Sequence, residues 1–133
     1  MRILTGLILT LMAGQAVAQK VDCVNAEAQN ELTFCAEQDW NAADADLNAV
    51  YKKAMAVLKQ TDADQPGGGG SGASFLRQAQ RDWITFRDNA CAAEAYPMHG
   101  GTAEPMVIYG CRARLTRERS EGLGYIASYG EGN

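Results

Sequence analysis

The chain of 133 residues carries 16 acidic and 12 basic side chains, a formal net charge of −4 at pH 7, and four cysteines. A net negative charge disfavours nucleic acid and anionic membrane surfaces as partners, and it is compatible with a basic protein partner. The length allows one domain with a modest hydrophobic core, which disulfide bonds would help to stabilise.

The first 18 residues have the pattern of a secretory signal peptide. Arg2 supplies a positive start, residues 3–12 are apolar but short for a membrane span, and Ala16-Val17-Ala18 fits a cleavage site. We predict cleavage after Ala18, which lowers the count of basic residues from 12 to 11 and leaves residues 19–133 as one domain without a membrane anchor. An uncleaved anchor is the alternative. Export to the periplasm or the medium, together with four cysteines, predicts two disulfide bonds.

Apolar residues recur at helical spacing from Leu32 to Leu58 and predict a long amphipathic first helix. Asp44 lies on the flank of its apolar face. Cys23 and Cys35 are twelve positions apart, about 18 Å along a continuous helix. A bond between them therefore requires the chain to turn back before or at the start of this helix.

Residues 61–73 predict a flexible surface connection, because Pro66, Gly67–Gly70 and Gly72 oppose a helix. A phosphate-binding loop is disfavoured, since no Lys-Ser/Thr pair follows the glycines and acidic residues lie nearby.

The segment Leu76–Cys91 predicts the second and central helix, with Ser74 as its N-cap. Gln80 and Arg87 project among its apolar residues, so Arg87 needs a carboxylate partner or a route to solvent. The apolar face is predicted to contain Leu76, Ala79, Trp83, Phe86 and Ala90.

A third helix is predicted after the turn at residues 98–101, with Thr102 as its N-cap and Pro105 in its first turn. Pro97 favours an end to the second helix before this turn. The shared face of the third helix is predicted to contain Ile108, Cys111, Leu115, Arg119, Gly122 and Ile126.

Three amphipathic helices without alternating strand patterns predict an all-α fold, most simply a small antiparallel bundle of three main helices. Folding the helices back on one another places Asp44 or Leu47 near Arg87, and Arg119 near Trp83, where a cation–π contact is possible. Four cysteines allow three connectivities. The pairing Cys23–Cys35 with Cys91–Cys111 fits both ends of the bundle.

Residues suited to catalysis or metal binding are sparse. His99, the only histidine, lies in a glycine-rich loop, and the chain has no CxxC or HExxH motif. We therefore predict that the protein is not an enzyme and that it needs no metal or cofactor.

Two groups of polar residues remain as candidate sites. Polar residues on or beside apolar faces could form a ligand pocket or an internal network that sets helix register, and the small size of the bundle favours the network. These residues are Asp44, Gln80, Arg87 and Arg119. The loop His99, Gly100, Gly101 and Thr102 is the candidate contact with a partner.

An ordered set of motifs extends through all three predicted helices. It comprises Cys23, Glu31-Leu32, Cys35-Ala36, Ala45-Asp46-Leu47-Asn48, Tyr51, residues 76–83, Phe86-Arg87-Asp88, Cys91, Gly100-Gly101-Thr102, Cys111, Leu115-Thr116 and Arg119. This set resembles the family of exported bacterial domains named after the lysozyme inhibitor LprI, over roughly Asp22 to Tyr129. The resemblance implies a helical, disulfide-stapled domain that binds and inhibits lysozyme-type muramidases. The net negative charge of the chain favours a basic lysozyme as the partner. The alternative function is a non-inhibitory periplasmic helical interaction module.

Overall fold

The computed structural model describes residues 20–67 and 70–130, so the predicted signal peptide at residues 1–18 lies outside the described part. The elements are Gln29–Asp64 (α1), Gly72–Ala95 (α2), a 3₁₀-helix at Tyr96–Met98, and Glu104–Ser128 (α3). No strand occurs within the described residues. The prediction of an all-α bundle of three main helices with two disulfides is confirmed.

The three helices run up, down and up, so that α2 is antiparallel to both neighbours. Gln80 meets Arg119 and Cys91 meets Cys111 across α2 and α3. α1 and α3 are therefore parallel, and their contact is the most extensive in the fold. With 36 residues α1 is about 54 Å long, whereas α2 and α3 have 24 and 25 residues and are about one-third shorter.

The large buried apolar side chains extend from the middle of the bundle to the connection between α1 and α2. The buried cluster there contains Leu47, Ala54, Met55, Ala73, Leu76 and Leu123. Toward the opposite end the buried residues are smaller, and they include Ala43, Ala95, Ala113 and both cysteines of the α2–α3 bond. A disulfide therefore stabilises the end where few large apolar side chains are available.

The connection between α1 and α2 is shorter than predicted. α1 continues to Asp64 and α2 begins at Gly72, so the expectation that residues 61–73 hold no helix was wrong at both margins. Asp62 explains the early start of α2, because its carboxylate accepts hydrogen bonds from Ser71 Oγ at 2.7 Å, Gly72 N at 2.7 Å and Ala73 N at 3.1 Å. The N-cap is Ser71, whose hydroxyl accepts from Ser74 N, and the predicted cap at Ser74 was wrong.

For α2 and α3, the predicted apolar faces also differ from the buried faces in the structure. Phe86 is 60% exposed because the buried side of α2 is narrow and is centred on Leu76, Arg87 and Cys91. In α3, Leu123 is buried whereas Gly122 is exposed. The cap of α3 is Ala103 rather than Thr102, and it makes no side-chain hydrogen bond.

Candidate functional site

Both predicted disulfides form, and they lie at the same end of the bundle. Cys23–Cys35 joins Cα atoms 5.6 Å apart and fastens the segment before α1 to the first turns of that helix. Cys91–Cys111 joins Cα atoms 5.5 Å apart and links the end of α2 to the start of α3. We call the region formed by residues 21–46 and 88–111 the stapled end.

The stapled end is strongly acidic. Its two segments contain ten aspartates and glutamates and no lysine or arginine. Arginines from the middle of the bundle pair with some of these acids, including Arg114 with Glu94 and Arg117 with Asp39. Several others have no ion-pair partner among the described residues, namely Glu27, Glu31, Glu37 and Asp46. The surface charge at this end is therefore negative.

The loop between α2 and α3 forms the tip of the stapled end, and the side chain of Glu104 holds its backbone in place. Glu104 Oε2 accepts from Gly100 N at 2.8 Å, while its Oε1 lies 2.9 Å from His99 Nδ1. The hydrogen bond with His99, and then the one from Gly100 N, lower the pKa of the Glu104 carboxyl. Gly100 has φ +77°, a conformation that favours glycine.

Two large side chains project from this loop into solvent. The rings of Tyr96 and His99 stack with centroids 5.4 Å apart, and Tyr96 is 69% exposed. Met98 is 47% exposed. The predicted loop, His99 to Thr102, therefore lies beside an exposed aromatic ring and a thioether that the sequence reading had not included.

A layer of arginines and tryptophans lies at the inner edge of the stapled end, where it joins the middle of the bundle. Arg87 is only 7% exposed, and its guanidinium carbon lies 5.4 Å from the Trp40 ring centroid and 5.2 Å from that of Trp83. Its Nη1 is 3.7 Å from Asp44 Oδ1, and its Nε donates to Asp88 Oδ1 at 3.0 Å. The structure thus places the predicted partner Asp44 beside Arg87. Asp88, which is on the same helix as Arg87, is a second and closer carboxylate partner.

Arg112 enlarges this layer from the α3 side. Its guanidinium carbon lies 4.9 Å from the Trp40 centroid, and its Nε is 3.2 Å from the Asp88 oxygen that Arg87 also contacts. Tyr109 stacks on Trp40 with centroids 5.7 Å apart. Sequence reasoning missed this group because helical periodicity marks Trp40 as one more apolar residue of the first helix and does not show which side chains from the other helices meet it.

Gln80 and Arg119, the other two candidate residues, meet one another further along the bundle. Arg119 Nε donates to Gln80 Oε1 at 3.0 Å, and the Arg119 guanidinium carbon is 6.0 Å from the Trp83 centroid. Trp83 therefore contacts both arginines, Arg87 and Arg119. That the four predicted polar residues set the register of the helices stays a prediction.

Two features are absent from the described residues. Between residues 20–67 and 70–130, no three His, Cys, Asp or Glu side chains are grouped so as to hold a metal ion. None of the helices in this part of the chain combines the length and apolar character of a membrane span.

Comparison with known proteins identifies similar sequences and one similar structure. A family model described as lysozyme inhibitor LprI matches residues 22–123. The uncharacterised protein R02472 of Rhizobium meliloti strain 1021 is 40% identical over 105 residues, which cover 77% of this chain and 76% of that protein. The uncharacterised protein YecT of Escherichia coli K12 is 30% identical over 70 residues, which cover 47% of this chain and 39% of that protein.

A solved structure supports the fold. The crystal structure of a DUF1311 family protein from Pseudomonas putida KT2440 aligns with a TM-score of 0.62 and 24% sequence identity. The alignment covers 83% of this chain and 99% of that chain. At this level of identity, the similarity shows a shared fold.

Proposed function

The chain belongs to the lysozyme inhibitor LprI family, and from this membership we propose that it binds and inhibits lysozyme-type muramidases. The family match over residues 22–123 is the observation that carries the proposal. The family is described by an inhibitory rather than a catalytic activity, and the protein acts by occluding an enzyme. Its two disulfides support a place of action in the periplasm or the medium.

The stapled end is the surface that meets the enzyme. Its ten acidic residues and lack of lysine and arginine give it a negative potential that attracts a basic lysozyme. Glu27, Glu31 and Glu37 contribute most directly, because no arginine or lysine neutralises them within the described residues. This attraction raises the association rate, and salt weakens it.

The α2–α3 loop supplies the anchoring contact within this surface. Tyr96 and Met98 offer exposed apolar area, and aromatic side chains are enriched among the residues that dominate binding energy. The Glu104 hydrogen bonds and the Cys91–Cys111 bond hold the loop before binding, which lowers the entropy cost of association. The loop is thus a preformed tip surrounded by acids.

Inhibition is tested by following lysis of a cell-wall suspension by a basic hen-type lysozyme. Wild-type protein should slow lysis in a concentration-dependent way, and the slowing should weaken as salt is raised. Tyr96→Ala should weaken inhibition about tenfold, the size expected for a binding hot spot. If lysis is not slowed at a large molar excess and the two proteins do not co-elute at low salt, the proposal fails and a non-inhibitory interaction module becomes the better description.

A matched pair of variants separates the acidic surface from net charge. The test variant replaces Glu27, Glu31 and Glu37 with glutamine at the stapled end. The control variant replaces Asp64, Asp82 and Glu121 with their amides, which changes the net charge equally on residues outside the stapled end. The test variant should inhibit at least about tenfold less well than the control. Equal inhibition by both variants would show that the stapled end is not the docking surface.

A further inference from the structure

Away from the stapled end, the bundle contains an apolar groove that the proposed inhibitory surface does not use. It lies where the end of α1, the start of α2 and the end of α3 meet, and its volume is about 390 Å³. This volume is at the lower end of the range for small-molecule sites, about 300–1,000 Å³. We call it the Arg119 groove, and its main lining residues are Leu58, Phe75, Leu76, Arg119, Gly122 and Ile126.

The apolar wall of the groove is incompletely covered. Phe75 lines it and is 66% exposed, so much of its ring area remains in contact with solvent. Gly122 also lines it, and a Cβ atom built there would meet nothing within 4 Å. The groove therefore has room for additional apolar atoms, and burying Phe75 under them would be favourable.

Arg119 places one positive charge in this apolar wall. Only its Nε has a protein acceptor among the described residues, the Gln80 side chain at 3.0 Å, and no carboxylate there lies within ion-pair distance of it. Burial lowers the pKa of the Arg119 guanidinium, yet an arginine stays protonated in proteins. The two terminal nitrogens thus carry four N–H donors in the fork geometry that a carboxylate matches.

We propose that the Arg119 groove binds an amphiphilic carboxylate, with a single medium-length acyl chain along Leu58, Phe75 and Ile126 and the carboxylate paired with Arg119. The charge complements the uncompensated guanidinium, and the volume suits one chain rather than a two-chain lipid. Because the groove is lined by residues outside the stapled end, this binding is independent of the proposed inhibition of lysozyme.

Calorimetric titration with decanoate below its critical micelle concentration, and with 1-decanol below its solubility limit, tests the contribution of the charge to binding. Wild-type protein should bind decanoate at least about tenfold more tightly than the alcohol, the minimum expected for a charge-assisted pair. Arg119→Gln should remove this preference. An absence of saturable decanoate binding, or a preference that survives in Arg119→Gln, would overturn the assignment. Tighter binding of N-acetyl-Leu-Leu than of decanoate would reassign the groove to a peptide terminus.

Gly122→Leu tests the place of binding without depending on Arg119. The leucine side chain extends into free space and should fill the groove, so decanoate should bind at least about tenfold more weakly. The melting temperature should not fall, since leucine favours a helix more than glycine does. Gly110→Leu is the matched control, because Gly110 is an exposed α3 glycine with equally open space and does not line the groove. Unchanged decanoate binding by Gly122→Leu would refute the site.

Discussion

Replacing Arg87 with alanine tests how the arginine and tryptophan layer stabilises the bundle. The substitution removes two cation–π contacts, at 5.4 and 5.2 Å from the centroids of Trp40 and Trp83, each worth about 1 kcal/mol in a partly desolvated place. Losing the buried aliphatic stem adds about 1–2 kcal/mol for the space left behind. Asp44 and Asp88 are 41% and 39% exposed, so water can solvate them once Arg87 is gone, and their ion pairs contribute at most about 1 kcal/mol.

We therefore expect Arg87→Ala to lower the free energy of unfolding by about 3–5 kcal/mol. Urea denaturation of the oxidised protein, followed by circular dichroism at 222 nm, measures this change. The melting temperature should fall by at least about 12 °C, given a shift of at least about 4 °C per kcal/mol in domains of this size. Arg77→Ala is the matched control, because Arg77 is an exposed arginine on the same helix and should change stability by no more than about 0.5 kcal/mol.

The same measurements can refute the reasoning. If Arg87→Ala is as stable as Arg77→Ala, the buried guanidinium contributes nothing net and the layer is not a stabilising element. Among the acids, Asp88→Asn should destabilise more than Asp44→Asn, because Asp88 lies 3.0 Å from Arg87 Nε and 3.2 Å from Arg112 Nε, whereas Asp44 lies 3.7 Å from Arg87 Nη1. Inhibition of lysozyme per folded molecule should be unchanged in Arg87→Ala. A stable variant that lost inhibition would make Arg87 a contact residue.

Two further predictions concern the ends of the bundle. Replacing Cys91 and Cys111 together with serine should cost about 3 kcal/mol in urea denaturation, because the bond closes a loop with a sequence separation of 20; no change in the denaturation midpoint would contradict this stabilising role. Asp62→Ala should lower the melting temperature by a few degrees at pH 7, since it removes the acceptor of three hydrogen bonds from the start of α2. Asp64→Ala, which also changes an aspartate at the end of α1, is the control. Hydrogen bonds from Ser71, and then from Ala73 N and Gly72 N, lower the pKa of the Asp62 carboxyl from its ordinary value of 3.8. The stabilising effect of Asp62 should therefore be present above pH 3.8 and disappear as acid protonates the carboxylate in the folded protein. A difference in stability between wild type and Asp62→Ala that does not decrease between pH 7 and pH 2 would show that the ionised carboxylate is not the cause.

The amino-acid sequence determined the number and order of the helices, and it favoured one of the three possible pairings of the cysteines, which the structure confirms. Helical periodicity is a local property, so the apolar repeats that indicated α1, α2 and α3 did not depend on knowing their neighbours. The disulfide pairing followed from the same topology, because an antiparallel return after α2 brings Cys91 and Cys111 together. The proximity of Asp44 to Arg87 came from register along those helices.

The tertiary structure decided how each helix is rotated and what its borderline residues contact. Phe86 is exposed and Trp40 lies against Arg87 and Arg112 because of the way the three helices are rotated against one another, which periodicity within one helix does not specify. The Asp62 carboxylate, near the end of α1, accepts hydrogen bonds from the start of α2. The sequence does not indicate this contact, because a glycine-rich connection separates the two helices. The Arg119 groove is formed where parts of three helices meet. Periodicity within one helix does not predict such a groove, because the groove depends on distances between segments that are far apart in the chain.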